Sequence, residues 1–82
     1  SNTSELPSKI LHEIVDIALA EIVQSAQSNN NLLRRTIHES IKDSKDAKTM
    51  KRQLDESYLS LVELVRDKRE LMNTQLQTIF AS

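Results

Sequence analysis

The fold is decided by residues 54–80, LDESYLSLVELVRDKRELMNTQLQTIF, near the end of this 82-residue chain. The stretch contains no glycine and no proline, and its apolar residues recur mostly in steps of three and four: Leu54, Tyr58, Leu61, Val65, Met72, Leu76 and Ile79. Such spacing places the side chains on one face of an α-helix. We therefore predict a long amphipathic helix over about residues 47–80.

A second helix is predicted at about residues 5–27, with Ser4 as its N-cap and Pro7 in its first turn. Its apolar residues cover well over half of the helix circumference, whereas a helix facing one partner needs a stripe of only about 100°. We expect this helix to be buried on two sides. One side would meet the long helix, and the other would meet a second protein chain.

The middle of the chain offers two interpretations. Residues 28–31, Ser-Asn-Asn-Asn, are predicted to be a loop, because asparagine both ends and caps helices. A short helix would then span about residues 32–44 and end in a turn near Asp43–Asp46, capped by Ser44 or Asp43. Alternatively, one unbroken helix runs from Leu32 to Phe80, roughly 70 Å long at 1.5 Å per residue.

Chain length and composition predict a single all-α module. The 82 residues include no glycine and one proline, so the chain largely lacks the glycine and proline residues that form β-turns between strands. A monomer of this size buries too little surface to be robust, and small helical domains often gain burial from a partner chain. We predict a helical hairpin or three-helix arrangement that self-associates into a multi-chain bundle. The module is expected to be a fragment of a larger protein.

Several classes of chemistry have no candidate residues in this sequence. The absence of cysteine excludes disulfides and thiolate catalysis, and the absence of glycine excludes a phosphate-binding loop. His12 and Asp16 are predicted to lie on a solvated face, and His38 has Lys42 where a zinc-protease motif needs a second histidine. We therefore expect no enzyme activity, no metal, no cofactor, no small-molecule substrate and no membrane role.

Residues 34–52 form a locally basic segment, although the net charge of the chain is only −1. The segment holds three acidic residues and seven basic ones, which are Arg34, Arg35, Lys42, Lys45, Lys48, Lys51 and Arg52. A basic helical stripe can contact nucleic-acid phosphates without reading sequence. The interleaved acids and the lack of a stacking platform argue against such binding. Sequence-independent DNA contact is therefore the alternative function, together with docking of another helical protein.

Self-association is the predicted function, because two helices carry more apolar surface than a monomer of this size covers. The predicted contact residues lie on the two most apolar helices. They are Ile14, Val15, Ile22 and Val23 in the first helix, with Leu61, Leu64, Val65, Leu71 and Met72 in the last. The expected product is a homo-oligomer, either a dimer or a tetramer.

A family resemblance rests on the apolar run from Leu59 to Met72, LSLVELVRDKRELM. It rests also on the hairpin layout, the lack of glycine and the apparent chain end at Ser82. Residues 23–82 resemble the C-terminal helical tetramerisation module of the large Rap-interacting telomere factors. This resemblance implies self-assembly within a scaffold protein, contact with DNA or partner proteins, and an intracellular, nuclear location.

Overall fold

The computed structural model describes the backbone of residues 2–81 and the side chains of residues 7–81. Within this range the chain forms two helices, α1 (Asn2–Ile41) and α2 (Lys45–Ala81), and no strand. The helices pack antiparallel as a hairpin that measures 61 × 16 × 9 Å. This length matches a single 40-residue helix at 1.5 Å per residue, so the molecule is a rod two helices wide. The all-α prediction is confirmed, and the hairpin is the form adopted.

The predicted loop at residues 28–31 is wrong, because these residues lie inside α1. Asparagine is less favourable than alanine in a helix by only about 0.7 kcal/mol or less per residue. Tertiary contacts therefore readily override its preference for loops. One such contact is present here: the Asn30 side-chain amide donates to Asp55 Oδ1 across the hairpin at 3.3 Å. The helix also begins at Asn2, so Ser4 is not its N-cap; the side chain of Ser4 lies outside the described residues.

The hairpin turn is formed by residues 42–44. Lys42 adopts a left-handed φ of 54°, and its N–H donates to the His38 carbonyl at 2.8 Å, which ends α1. Ser44 starts α2, because its side-chain oxygen accepts the Ala47 N–H at 3.1 Å and its carbonyl accepts the Lys48 N–H at 3.1 Å. The predicted turn near Asp43 with a Ser44 cap is thus confirmed. The unbroken helix from Leu32 to Phe80 is wrong.

The seam between the helices follows an 11-residue spacing. Half-buried positions of α1 recur in steps of four, three and four: Ser8, His12, Val15, Leu19, Val23, Ala26, Asn30, Arg34 and Ile37. In α2 the half-buried positions include Leu54, Tyr58, Leu61, Val65, Met72, Leu76 and Phe80, with Leu54, Val65 and Leu76 again 11 residues apart. Eleven residues in three turns lie close to the natural period of the α-helix. Both seam stripes therefore stay nearly straight along the rod.

Removal of the Ser44 cap is expected to destabilise the hairpin. We predict that Ser44→Ala lowers the free energy of unfolding by about 1 kcal/mol, because the Ala47 N–H loses its acceptor beside a fully buried side chain. The matched control is Ser40→Ala, since the Ser40 hydroxyl is exposed and bonds only locally to the Thr36 carbonyl. Urea unfolding followed by circular dichroism at one protein concentration tests the difference, and equal stabilities for the two variants would contradict it.

Candidate interaction surface

Polar contacts across the seam hold the two helices in one register. Near the open end of the hairpin, His12 Nδ1 lies 2.7 Å from Asn73 Oδ1, a hydrogen bond when this nitrogen is protonated. One turn further along, Arg69 Nε donates to Asp16 Oδ1 at 2.9 Å. Both pairs join residues more than 50 positions apart in sequence, so a slip of either helix would break them. These contacts therefore fix which residues of α1 and α2 share a level of the rod.

A second polar cluster lies between the middle of the rod and the turn. Arg34 Nη1 donates to Asp55 Oδ2 at 2.7 Å, while the Asn30 amide donates to the other oxygen of the same carboxylate. The Asp55 and Arg34 side chains are half-buried, which makes their interaction stronger than that of a fully solvated pair. The cluster gives α1 and α2 a specific pairing where apolar side chains alone would allow sliding.

One broad side of the hairpin is polar. A groove between the helices on this side is walled by Asp16 and Gln24 of α1 and by Arg66 and Arg69 of α2. Apolar side chains form its floor: Leu19, Ala20, Val23, Val62 and Val65. The Asp16–Arg69 ion pair bridges this groove, so its rim is charged although its floor is apolar. We name this side the polar face.

The opposite side is apolar, and we name it the apolar face. Its apolar residues are Leu11, Ala18, Ile22 and Leu33 in α1 and Met50, Leu64, Leu71 and Ile79 in α2, with the half-buried Ala26 and Leu61 at its border with the seam. Polar residues lie among them, namely Glu21, Ser25, Asn29, Gln53, Glu56, Ser57 and Ser60. Ala18, Ile22 and Ala26 line one shallow groove, and Leu33 and Met50 share another with Gln53 and Ser57. Gln53 and Ser57 also line a third groove with Leu61 and Leu64, so the second and third grooves belong to one surface. Helical spacing places Leu11, Leu71 and Ile79 on the same side.

The apolar face is unusually exposed for a folded chain. Of the residues whose side chains are described, Ala47 alone is buried, whereas Leu64 is 65% exposed and Ile22 is 47% exposed. The accessible surface is 6480 Å², against about 5,000 Å² for a compact monomer of 9.4 kDa. The radius of gyration is 18.6 Å, against about 12 Å for a compact domain of this length. The hairpin is therefore elongated, and large hydrophobic side chains remain exposed along its length.

The predicted contact residues are divided between two places. Val15, Val23, Leu61, Val65 and Met72 are half-buried and contribute to the seam within the hairpin. Ile14, Ile22, Leu64 and Leu71 are exposed large hydrophobic residues. Leu11, Leu33, Met50 and Ile79 are also exposed but are not among the predicted contact residues, and the same holds for Ile10, Ile17, Leu32, Ile41 and Leu59. The missed signal is the 11-residue step from Leu11 to Ile22 to Leu33, which keeps these three residues on one line of a straight helix.

The seven basic residues of the middle segment do not form one stripe. Arg34 bonds Asp55, Lys51 Nζ lies 3.8 Å from Asp43 Oδ1, and Arg52 Nε lies 3.7 Å from Glu56 Oε1. Arg35 is exposed on α1 and follows the seam residue Arg34 directly in the sequence. The remaining three, Lys42, Lys45 and Lys48, are exposed around the turn. A basic patch thus remains at the turn, and it is smaller than the sequence alone indicates.

The two histidines have side-chain neighbours, and the prediction that His12 lies on a solvated face is wrong, because its side chain is half-buried in the seam. His12 contacts Asn73, while His38 lies within 3.6 Å of Asp43 and 3.4 Å of Lys51 near the turn. Within the described part of the chain, no three metal-ligating side chains converge. Neither helix has a stretch in this range that is apolar and long enough to span a membrane.

Comparisons with known proteins identify no relative of this chain. No protein-family model, no curated protein and no solved structure matches it. The resemblance to the telomere-factor module, with the self-assembly and nuclear location that it implies, therefore stays a prediction.

The Asp55 cluster is expected to contribute measurably to stability. We predict that Asp55→Ala lowers the free energy of unfolding by about 1 kcal/mol, because Arg34 and Asn30 lose a shared acceptor in the seam. Glu56→Ala is the matched control, since Glu56 makes an exposed pair with Arg52 on the surface of α2. Urea unfolding of both variants provides the comparison. A loss for Glu56→Ala as large as that for Asp55→Ala would remove the special role of the cluster.

Proposed function

We propose that this chain is a non-catalytic homo-oligomerisation module whose hairpins associate through their apolar faces. The observation that carries the proposal is the exposure of large Leu, Ile and Met side chains along the rod, with Ile22, Leu33, Met50 and Leu64 among them on the apolar face. Two hairpins that stack face to face form a four-helix bundle. Unlike a single hairpin, this bundle has an interior in which apolar side chains can be buried. The opposite side carries the Asp16–Arg69 ion pair across its groove, and burying this pair in an interface would cost the hydration of both charges.

The amount of uncovered surface is appropriate for a second copy of the chain. The hairpin exposes about 1,500 Å² more than a compact monomer of its mass. Stable protein–protein interfaces bury about 1,200–2,000 Å² in total over both partners. A self-complementary face on each of two identical rods meets this requirement along their full length. A closed two-fold pair is also the commonest form of homo-oligomer.

We further propose that the module joins copies of a larger nuclear scaffold protein. This step is supported by the resemblance stated above and by the layout of the chain as a helical hairpin. It gives the module a role in bringing together the remaining parts of identical chains. Such a role needs neither a cofactor nor a catalytic group.

The solution mass tests the central proposal. At about 100 μM the chain is expected to have at least twice its monomer mass of 9.4 kDa, measured by light scattering after size exclusion. A monomer at this concentration would overturn self-association. It would favour the docking of a different helical protein on the apolar face instead.

A charge on the apolar face is expected to separate the copies. We predict that Leu71→Arg shifts the assembly toward the monomer while helicity is retained, because an arginine at this exposed position disturbs only contacts between chains. The matched control is Leu59→Arg, since Leu59 is 60% exposed and Leu71 is 52% exposed, and helical spacing places Leu59 on the polar face. If Leu59→Arg became monomeric while Leu71→Arg kept the mass of the native assembly, the interface would lie on the polar face instead.

Sequence-independent DNA contact is the second candidate, favoured by the exposed Lys42, Lys45 and Lys48 around the turn. We predict salt-dependent binding to random duplex DNA that is abolished when these three lysines are changed to glutamate. Fluorescence anisotropy over a salt series tests this expectation. Arg35→Glu is the control on α1, and unchanged binding by the triple variant would remove the candidate.

A further inference from the structure

We propose that the second copy binds antiparallel to the first, with the two hairpin turns at opposite ends of the bundle. A two-fold axis passes between the copies at Ile22 and Leu64. In this arrangement α1 packs on the partner's α1 and α2 packs on the partner's α2. The inference rests on the proposed self-association and adds the orientation of the two copies.

Ile22 and Leu64 mark the middle of the rod. Ile22 lies halfway along α1 (Asn2–Ile41), and Leu64 lies close to the midpoint of α2 (Lys45–Ala81). The contacts of Asp16 with Arg69 and of Asn30 with Asp55 bracket these two residues on either side. Ile22 and Leu64 therefore share one level of the hairpin. An axis at this level lets two 61 Å rods overlap over their entire length.

The pattern of α1 is symmetric about Ile22 at two spacings, although Ala18 is exposed and Ala26 is half-buried. Four residues away in each direction stands an alanine, Ala18 or Ala26, and 11 residues away stands a leucine, Leu11 or Leu33. Steps of four and 11 residues remain on one line of a helix. When α1 packs antiparallel on a second α1, Ile22 meets Ile22, the small residues meet each other, and each leucine meets the other leucine. The surface is therefore complementary to itself.

The exposed pattern of α2 is partly symmetric about Leu64. Seven residues away stand Ser57 and Leu71, which are unlike, whereas the positions farther out match. Gln53 and Gln75 lie 11 residues away on either side, so these two amides meet each other in the antiparallel pair. Met50 lies 14 residues before Leu64, and Ile79 lies 15 residues after it. In the antiparallel pair these two large apolar side chains would therefore lie close to each other near the ends of the interface. These two outer matches avoid the cost of burying a polar group against carbon, a benefit that the pairing of Leu71 with Ser57 lacks.

The charge distribution favours the same orientation. The turn end, residues 34–52, holds seven basic and three acidic residues. The open end, represented by residues 7–22 and 63–81, holds four basic and six acidic residues. An antiparallel pair brings each basic end beside an acidic end, whereas a parallel pair brings like charges together. Both helices are more basic toward the turn, so the preference applies to each helix pair.

Cysteine cross-linking tests the orientation, because the natural chain contains no cysteine. The Leu64→Cys variant places one thiol on the proposed axis, where it meets the same thiol of the second copy. Mild oxidation is expected to convert most of this variant into a covalent dimer. Leu59→Cys, at a similarly exposed position on the polar face, is the control and is expected to stay largely uncross-linked. Circular dichroism and solution mass before oxidation establish that each variant folds and associates.

A spin label at Ser40→Cys, close to the turn, gives an independent distance. Double electron–electron resonance is expected to report roughly 50 Å between labels in an antiparallel dimer, from about 1.5 Å per residue on each side of the axis. A parallel dimer gives less than about 25 Å, since both turns then lie at one end of a bundle two helices thick.

The outcomes separate the two proposals. A monomer in every variant overturns self-association and with it the orientation. A dimer with the short label distance, or one in which Leu64→Cys cross-links only when mixed with Ile22→Cys, overturns the orientation alone, because α1 then faces the partner's α2. A dimer with self-cross-linking at residue 64 and the long label distance supports both.

Discussion

Two helices that lie side by side enclose no interior, and the other properties of this hairpin depend on that constraint. Each helix can hide one stripe against its neighbour, but the sides of both helices remain accessible to water. Ala47 is fully buried because it lies beside the turn, where the chain folds back over it. Elsewhere the seam residues are half-buried at best. The hydrophobic effect is proportional to the apolar area removed from water, so much of the available stabilisation is realised only when another layer is added.

The seam combines modest apolar burial with polar contacts that select one register. A purely apolar seam in a straight two-helix rod would tolerate displacement by a turn, since similar side chains recur along each stripe. The carboxylates of Asp16 and Asp55 and their arginine partners prevent this, because each displaced charge would lose a hydrogen bond. A fixed register matters for assembly, since it brings Ile22 and Leu64 to one level. Without it, the apolar residues of α1 and α2 would not form one defined face.

The division into a polar and an apolar face follows from the same straight geometry. The 11-residue spacing keeps each line of side chains on one side of the rod for its full length. Leu11, Ile22 and Leu33 therefore remain together, as do Asp16 and its polar neighbours on the other side. In a strongly supercoiled pair these lines would wind around the partner, and the exposed apolar residues would be distributed over the circumference. A flat rod instead presents one continuous surface to a second copy.

The sequence by itself determined that the chain is helical and that residues 54–80 form an amphipathic helix, and it offered Ser44 or Asp43 as the cap of the last helix, a choice that the structure decides in favour of Ser44. These features depend on local spacing and on hydrogen bonds between near neighbours. The tertiary structure alone decided that residues 28–31 continue α1, because the Asn30–Asp55 contact joins residues that are distant in sequence. It also decided which apolar residues are left uncovered. Helical periodicity identifies an apolar stripe, but whether Val23 or Ile22 meets the neighbouring helix depends on the rotation of each helix about its own axis, which only the packing of α1 on α2 sets.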